Sequence, residues 1–221
     1  MKQDDLAARL RLIVITDAAL ARPRGLIEVV RAAVAAGAPA IQLRDKAAGA
    51  RELAETGRVL LPIVREAGAL FFVNDRLDVA IAIGADGVHV GPEDLSVGAV
   101  RRAVTGAPGT RLGAPFMVGA STDDPDRARW LAEAGADYIG CGTVYATTTK
   151  ADAGPVIGIE GLKRVVEAVD VPVVGIGGID AGRSAEIASR THASGVAVVG
   201  AVMRAKDVGD VVRQLLAPWT R

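Results

Sequence analysis

Eight short β-branched runs, each followed by an Ala-rich stretch of helical length, constrain this chain more than any other feature. The runs fall at 12–16, 40–43, 70–74, 87–90, 116–119, 138–142, 173–176 and 196–199. Between the first two, Leu26, Val29, Val30, Ala33 and Val34 recur at the spacing of one buried helical face. Gly37 then ends that helix, and Asp124-Pro125 reads as an N-cap with proline in the first helical position. The phrases Ala35-Ala36-Gly37-Ala38 and Glu133-Ala134-Gly135-Ala136-Asp137 repeat one helix-to-strand turn. Strict alternation of eight strands with helices in 221 residues predicts one α/β domain over 1–221, a closed (β/α)8 TIM barrel. A doubly wound open sheet is the alternative that alternation leaves standing.

Composition agrees and removes several classes of function. Half the residues are hydrophobic but only 3% are aromatic, as suits parallel strands under small-residue helices. Twenty-six basic residues balance twenty-six acidic ones, so no global charge invites nucleic acid or an anionic membrane. Any anionic ligand must be held by local groups. Cys141 is the single cysteine and fits a reducing compartment. The acidic start does not read as a secretory leader, and no run approaches the ~20 apolar residues of a membrane helix. A cytoplasmic enzyme is expected, with exposed apolar faces that leave room for a homodimer.

A barrel of this kind carries function at the carboxyl ends of its strands. Polar residues gather there: Asp17, then Arg44-Asp45-Lys46, Asn74-Asp75, Glu93-Asp94, Ser121 and the 147–150 cluster, followed by Gly177-Gly178 and Gly200. The opposite ends read as mostly Gly, Ala and Pro. Strand alternation points Gln42 and Arg44 the same way, and with Lys46 they suit a polyphosphate. A solvated pair bridged to Asp45 is the plainer reading. Asn74 and Asp75 are common turn residues, but Asp94 follows the neighbouring strand, and two carboxylates beside a phosphate are what magnesium prefers. No Cys/His spacing suggests zinc.

Thr147, Thr148, Thr149 and Lys150 lie within the long 143–158 connection, either as a flap over phosphate or as a surface loop. Gly175-Ile176-Gly177-Gly178 and Val199-Gly200-Ala201 end the last two strands, where barrels often bind phosphate through backbone N–H groups. One monophosphate at this rim and a more charged group opposite imply two substrates. His89 sits within a strand and His192 before one; both read as structural or surface residues without a triad partner. Cys141 reads as packed rather than nucleophilic.

Taken in order, these pieces resemble the thiamine phosphate synthase family from end to end. The matching phrases are 41–46, Val73-Asn74-Asp75, 85–91 running on to Glu93-Asp94, Gly119-Ala120-Ser121, 136–140, 147–150 and 176–179. The resemblance implies that Gln42, Leu43, Arg44, Asp45, Lys46, Asn74, Ser121 and Lys150 hold hydroxymethylpyrimidine pyrophosphate. Arg44, Lys46, Lys150 and Ser121 form the catalytic set. It further implies one magnesium per active site on Asp75 and Asp94. Thr147, Thr148, Thr149, Gly178, Val199 and Gly200 would then hold the thiazole phosphate. Departures from the family pattern are Pro92, Asp123, Ala146 and Gly200. A thiazole tautomerase on the same barrel would not need the Arg44, Lys46, Asp75 and Asp94 set, and a phosphosugar isomerase would need an acid/base pair. A phosphate sensor would bind without turnover.

Overall fold

In the computed structural model, which describes residues 3–105, 116–149 and 154–219, the eight runs form a closed parallel barrel in sequence order. The chain runs α1 (Gln3–Arg9), β1 (Leu12–Ile15), α2 (Leu26–Ala35), β2 (Ala40–Leu43), α3 (Ala50–Glu66), β3 (Leu70–Asn74), α4 (Leu77–Ile83), β4 (Gly87–Val90) and α5 (Val97–Val104). It continues through β5 (Met117–Ser121), α6 (Pro125–Glu133), β6 (Tyr138–Cys141), α7 (Gly158–Ala168), β7 (Val173–Ile176), α8 (Ala181–Arg190), β8 (Gly195–Val198), α9 (Gly200–Met203) and α10 (Val208–Leu216). Ring closure comes from β1, which pairs with β2 at Ile13↔Ala40 and with β8 at Leu12↔Val196. The open-sheet alternative is thereby excluded.

Strand alternation sorts the core into two compartments. Ile13, Ile15, Ala40, Leu70, Phe72, Met117, Tyr138, Val174 and Ala197 pack inside the barrel. Their alternates, among them Val14, Ile41, Phe71, Val73, Val88, Val118, Ile139 and Val196, pack outward with the helices. This is the period-2 geometry of a strand buried on both faces. Leu6 and Leu10 join the interior cluster, so α1 closes the amino-terminal end of the barrel.

One turn recurs, as its sequence repeat predicts. Gly37 and Gly135 take φ of 95° and 103°, and the next residue closes back five positions, Ala38 to Ala33 O and Ala136 to Leu131 O. Gly68 and Gly84 do the same, through Ala69 to Val64 O and Ala85 to Ala80 O. The left-handed glycine lets each helix stop and turn at once into a strand. Asp124 caps α6 by accepting from Arg127 N at 2.6 Å, with Pro125 in the first turn.

The amino-terminal rim is less bland than its composition suggests. Asp86 accepts from Phe71 N at 2.8 Å, and Asp137 accepts from Val118 N at 2.6 Å while pairing with Arg101 at 2.5 Å. These carboxylates staple neighbouring strands at the end remote from the polar rim. Among the described residues no helix is long and apolar enough to cross a membrane.

Candidate active site

The carboxyl ends of β2, β3 and β4 build the first half of the site. Thr16, just past β1 and fully buried, donates from its N to Gln42 O at 2.9 Å. Its Oγ1 accepts from Arg44 N at 2.8 Å and lies 3.0 Å from Arg44 O as a donor. The backbone is thus locked where the chain leaves β2. Arg44 Nε is buried and, among the described residues, has no hydrogen-bond partner. A buried guanidinium N–H left unpaired costs on the order of 1–3 kcal/mol, so it marks a place shaped for an anion.

The other residues of this run divide. Lys46 is exposed, and its charge acts on Asp75. Leu43 is fully buried against the helices, which leaves only its backbone for a ligand. Asp45 Oδ1 accepts from Ala47 N and Ala48 N at 2.9 and 3.2 Å, so its carboxylate is engaged in shaping the turn that carries Lys46.

Asp75 adopts φ 63°, a left-handed conformation that Asp tolerates better than most residues. Its N donates to His89 O at 2.8 Å, fixing the end of β3 to β4. Asn74, at the end of β3, is the register partner of His89. The Asp75 carboxyl is pushed up to about 6, first by burial, then by its hydrogen bond to Asp94 and that group's charge. Lys46 and Arg44 pull it partly back. Asp94 is itself held by Gly91 N, which donates to Oδ2 at 2.7 Å. Two carboxyls pressed together are an unfavourable arrangement without a cation. They offer hard oxygen donors with cations nearby for phosphate, which is the few-ligand set a magnesium ion accepts when phosphate and water complete its shell. No group of three or more His, Cys, Asp or Glu among the described residues forms a complete protein cage.

Ser121, ending β5, is tied to the barrel interior. Its Oγ is hydrogen-bonded to His89 Nε2 at 2.8 Å, and His89 Nδ1 to the Tyr138 hydroxyl at 3.0 Å. Gln42, only 3% exposed, hydrogen-bonds the same phenol. Complete burial holds Tyr138 far above the usual phenol range, so it keeps its proton. His89 thus links Tyr138 to Ser121 through both ring nitrogens, with the donor at each contact set by its tautomer. The sequence reading of His89 as a structural residue did not foresee that both ring nitrogens are engaged. Gly119 and Gly140 make room: a Cβ on Gly119 would lie 2.2 Å from Tyr138 Cζ, and one on Gly140 would lie 3.0 Å from His89 Cε1.

The second half of the site lies at the ends of β6, β7 and β8. Val144 N and Tyr145 N donate to Ile176 O and Gly177 O, while Ile157 N and Gly158 N return to Thr143 O and Val144 O. The long connection therefore leaves and re-enters the barrel at one stitched base. Gly178, at φ 62°, passes so close that a Cβ there would sit 2.4 Å from Ala146 O. Tyr145 donates to Glu186 Oε2 at 2.7 Å, and the Arg183 guanidinium stacks on the Tyr145 ring and donates to Gly178 O. Thr149 N donates to Thr147 Oγ1 at 3.2 Å, and Thr149 Oγ1 comes beside Gly200. Thr147, Thr148, Thr149, Gly178 and Gly200 are thus brought to one rim, with Val199 packed toward the barrel interior. Lys150 lies outside the described residues. A cavity of ≈ 580 Å³ between α2 and α3 shares only Leu43 and Asp45 with the predicted set and lies off this rim.

Comparison with known proteins agrees with the geometry. The family model described as thiamine monophosphate synthase matches residues 12–202. A thiamine-phosphate synthase of Moorella thermoacetica is 44% identical over 210 residues, covering 95% of this chain and 96% of the relative. That of Methanoregula boonei is 47% identical over 207 residues, covering 94% and 92%. The solved thiamine phosphate pyrophosphorylase from Pyrococcus furiosus superposes with a TM-score of 0.84 at 42% identity, covering 97% of each chain. With a matching family model over most of its length and these relatives along nearly all of it, the chain belongs to the thiamine monophosphate synthase family.

Proposed function

We propose that this enzyme condenses hydroxymethylpyrimidine pyrophosphate with hydroxyethylthiazole phosphate to give thiamine phosphate and pyrophosphate, or with its carboxylated form to give the same products and carbon dioxide. The observation that carries the reading is the unpaired Arg44 Nε beside the Asp75–Asp94 carboxyl pair. A buried cationic donor and a carboxyl pair at one rim fit the two halves of a metal-bound pyrophosphate.

In this mechanism the C–O bond from the pyrimidine methylene to pyrophosphate breaks first, and both electrons leave with oxygen. Asp75 and Asp94 would hold magnesium, which would supply positive charge for the departing group. Arg44 and Lys46 add theirs from the end of β2, and Lys150 is assigned to the same task. Ser121, anchored by its hydrogen bond with His89, holds the pyrimidine in place. The thiazole nitrogen then bonds to the methylene. No proton need be moved by a side chain, so catalysis rests on positioning and electrostatic stabilisation. The Thr147–Thr149 and Gly178–Gly200 rim carries the acceptor's phosphate. The single buried cysteine suits a reducing interior, and we place the reaction in the cytoplasm.

The test is a coupled assay with both substrates, run with magnesium and with chelator. Thiamine phosphate and pyrophosphate are expected in equal amounts and only with metal. A folded enzyme that forms neither product refutes the proposal.

A further inference from the structure

The acceptor-phosphate rim holds a cation that none of the roles above uses. Arg204 follows Gly200 by one helical turn, and helical side chains lean toward the amino end, so its guanidinium reaches back over Gly200. Arg204 Nη1 lies 2.4 Å from the point where a Cβ on Gly200 would stand, and Cζ lies 3.5 Å from it. Thr149 Oγ1 is 3.2 Å from the same point. The guanidinium therefore fills the volume any side chain at position 200 would need, and it borders the Thr149 hydroxyl.

Neighbouring arginines are committed elsewhere. Arg183 donates to Gly178 O, and Arg24 donates to Ala205 O and Lys206 O. Arg204 is exposed, and among the described residues its guanidinium has neither a carboxylate partner nor a carbonyl to bond. An unengaged planar fork beside a hydroxyl, on the rim assigned to a phosphomonoester, matches two phosphate oxygens better than a point charge would.

We infer that Arg204 binds the phosphate dianion of the thiazole substrate together with Thr149, in space that exists because residue 200 is glycine. This rests on the two-substrate reading proposed above and adds to it a phosphate-binding residue. Gly200 is then a requirement for Arg204 to reach the rim as well as a route to the backbone.

The experiment is steady-state kinetics on purified wild type, Arg204→Ala, Arg204→Lys, Gly200→Ala and the double variant Gly200→Ala/Arg204→Ala. A charge-assisted contact to phosphate predicts about a tenfold higher KM for the thiazole phosphate in Arg204→Ala, with partial recovery in Arg204→Lys. The pyrimidine substrate's KM should stay within about twofold. Gly200→Ala should displace the guanidinium and raise the same KM, and the double variant should be no worse than either single one. With unphosphorylated hydroxyethylthiazole as acceptor, Arg204→Ala and wild type should match. An unchanged thiazole-phosphate KM in Arg204→Ala, or single effects that multiply in the double variant, overturns the role of Arg204. Absence of thiamine phosphate from wild type would instead sink the substrate reading on which it rests.

Discussion

Replacing Asp75 by Asn should stabilise the metal-free protein while crippling the enzyme. Burial and the facing Asp94 raise the Asp75 carboxyl from 3.8 to about 6. A shift of roughly two units corresponds to ~3 kcal/mol at 1.36 kcal/mol per unit, and partial solvent screening of a half-buried group reduces this to about 1–1.5 kcal/mol. Because the folded-state value lies above that of the free carboxyl, the penalty is absent below pH 3.8 and grows as pH rises through about 6. Asn also tolerates the left-handed φ of 63°, so the substitution adds little backbone strain. The assay is urea unfolding of wild type and Asp75→Asn in chelator at pH 4 and pH 7.5. Asp75→Asn should be more stable by about 1–1.5 kcal/mol at pH 7.5, with most of the gap gone at pH 4. Its turnover should fall by about a hundredfold or more, as expected when a group aimed at the leaving pyrophosphate's charge is lost. An equal gap at both pH values, or a less stable variant at pH 7.5, would refute the argument. It would mean that Arg44 and Lys46 relieve Asp75 more than Asp94 burdens it.

Three further outcomes follow from the same geometry. His89→Ala removes the hydrogen-bond partner that holds Ser121 and should lower kcat about tenfold, with partial rescue in His89→Gln, whose amide can hydrogen-bond Ser121; equal losses in both variants would reduce His89 to a packing role. Gly119→Ala drives a methyl to 2.2 Å from the ring of Tyr138, which is fully buried and cannot retreat, so urea unfolding should show a loss of about 1–3 kcal/mol. Burial, with a smaller push from the Asp123 charge, raises the Cys141 thiol to about 12, so a thiol reagent at pH 8 should label it only after unfolding.

The barrel was legible because its strands are continuous apolar runs, and the boundaries of β2, β3, β4 and β7 fall where those runs begin and end. The boundary shifts have local causes. Thr16 lies past β1 yet still bonds to Gln42 O, so it looks like strand by composition and by pairing without being assigned to it. At β5 the pairings Val90↔Ala120 and Ser121↔Gly140 carry the strand on through small residues that have no strand propensity of their own. The first helix was invisible as a barrel plug, since two leucines in a polar segment say nothing about where their side chains go. Asp86 and Asp137 were hidden differently. They sit inside phrases that match the family, but the recurring glycine turn places them at the opposite end of the barrel from the polar rim.

The functional rim divides along the same line. Arg44, Asp75, Asp94, Thr149 and Gly200 follow directly from strand ends, because a parallel barrel puts every such end on one face. What that rule cannot supply is depth. His89 falls among valines, and a histidine in such a run reads as packing. Its role depends on the pairing of Gly119 with both His89 and Tyr138, which sets three neighbouring strands in one layer. Ser121 lies 32 residues from His89, and Tyr138 lies 49. Residues so far apart meet only once register and closure are known, and the two glycines that admit the rings have no side chain to announce them. Burial keeps the Tyr138 phenol protonated, and through His89 that buried hydroxyl anchors Ser121 at the end of β5, a link that only the closed register reveals.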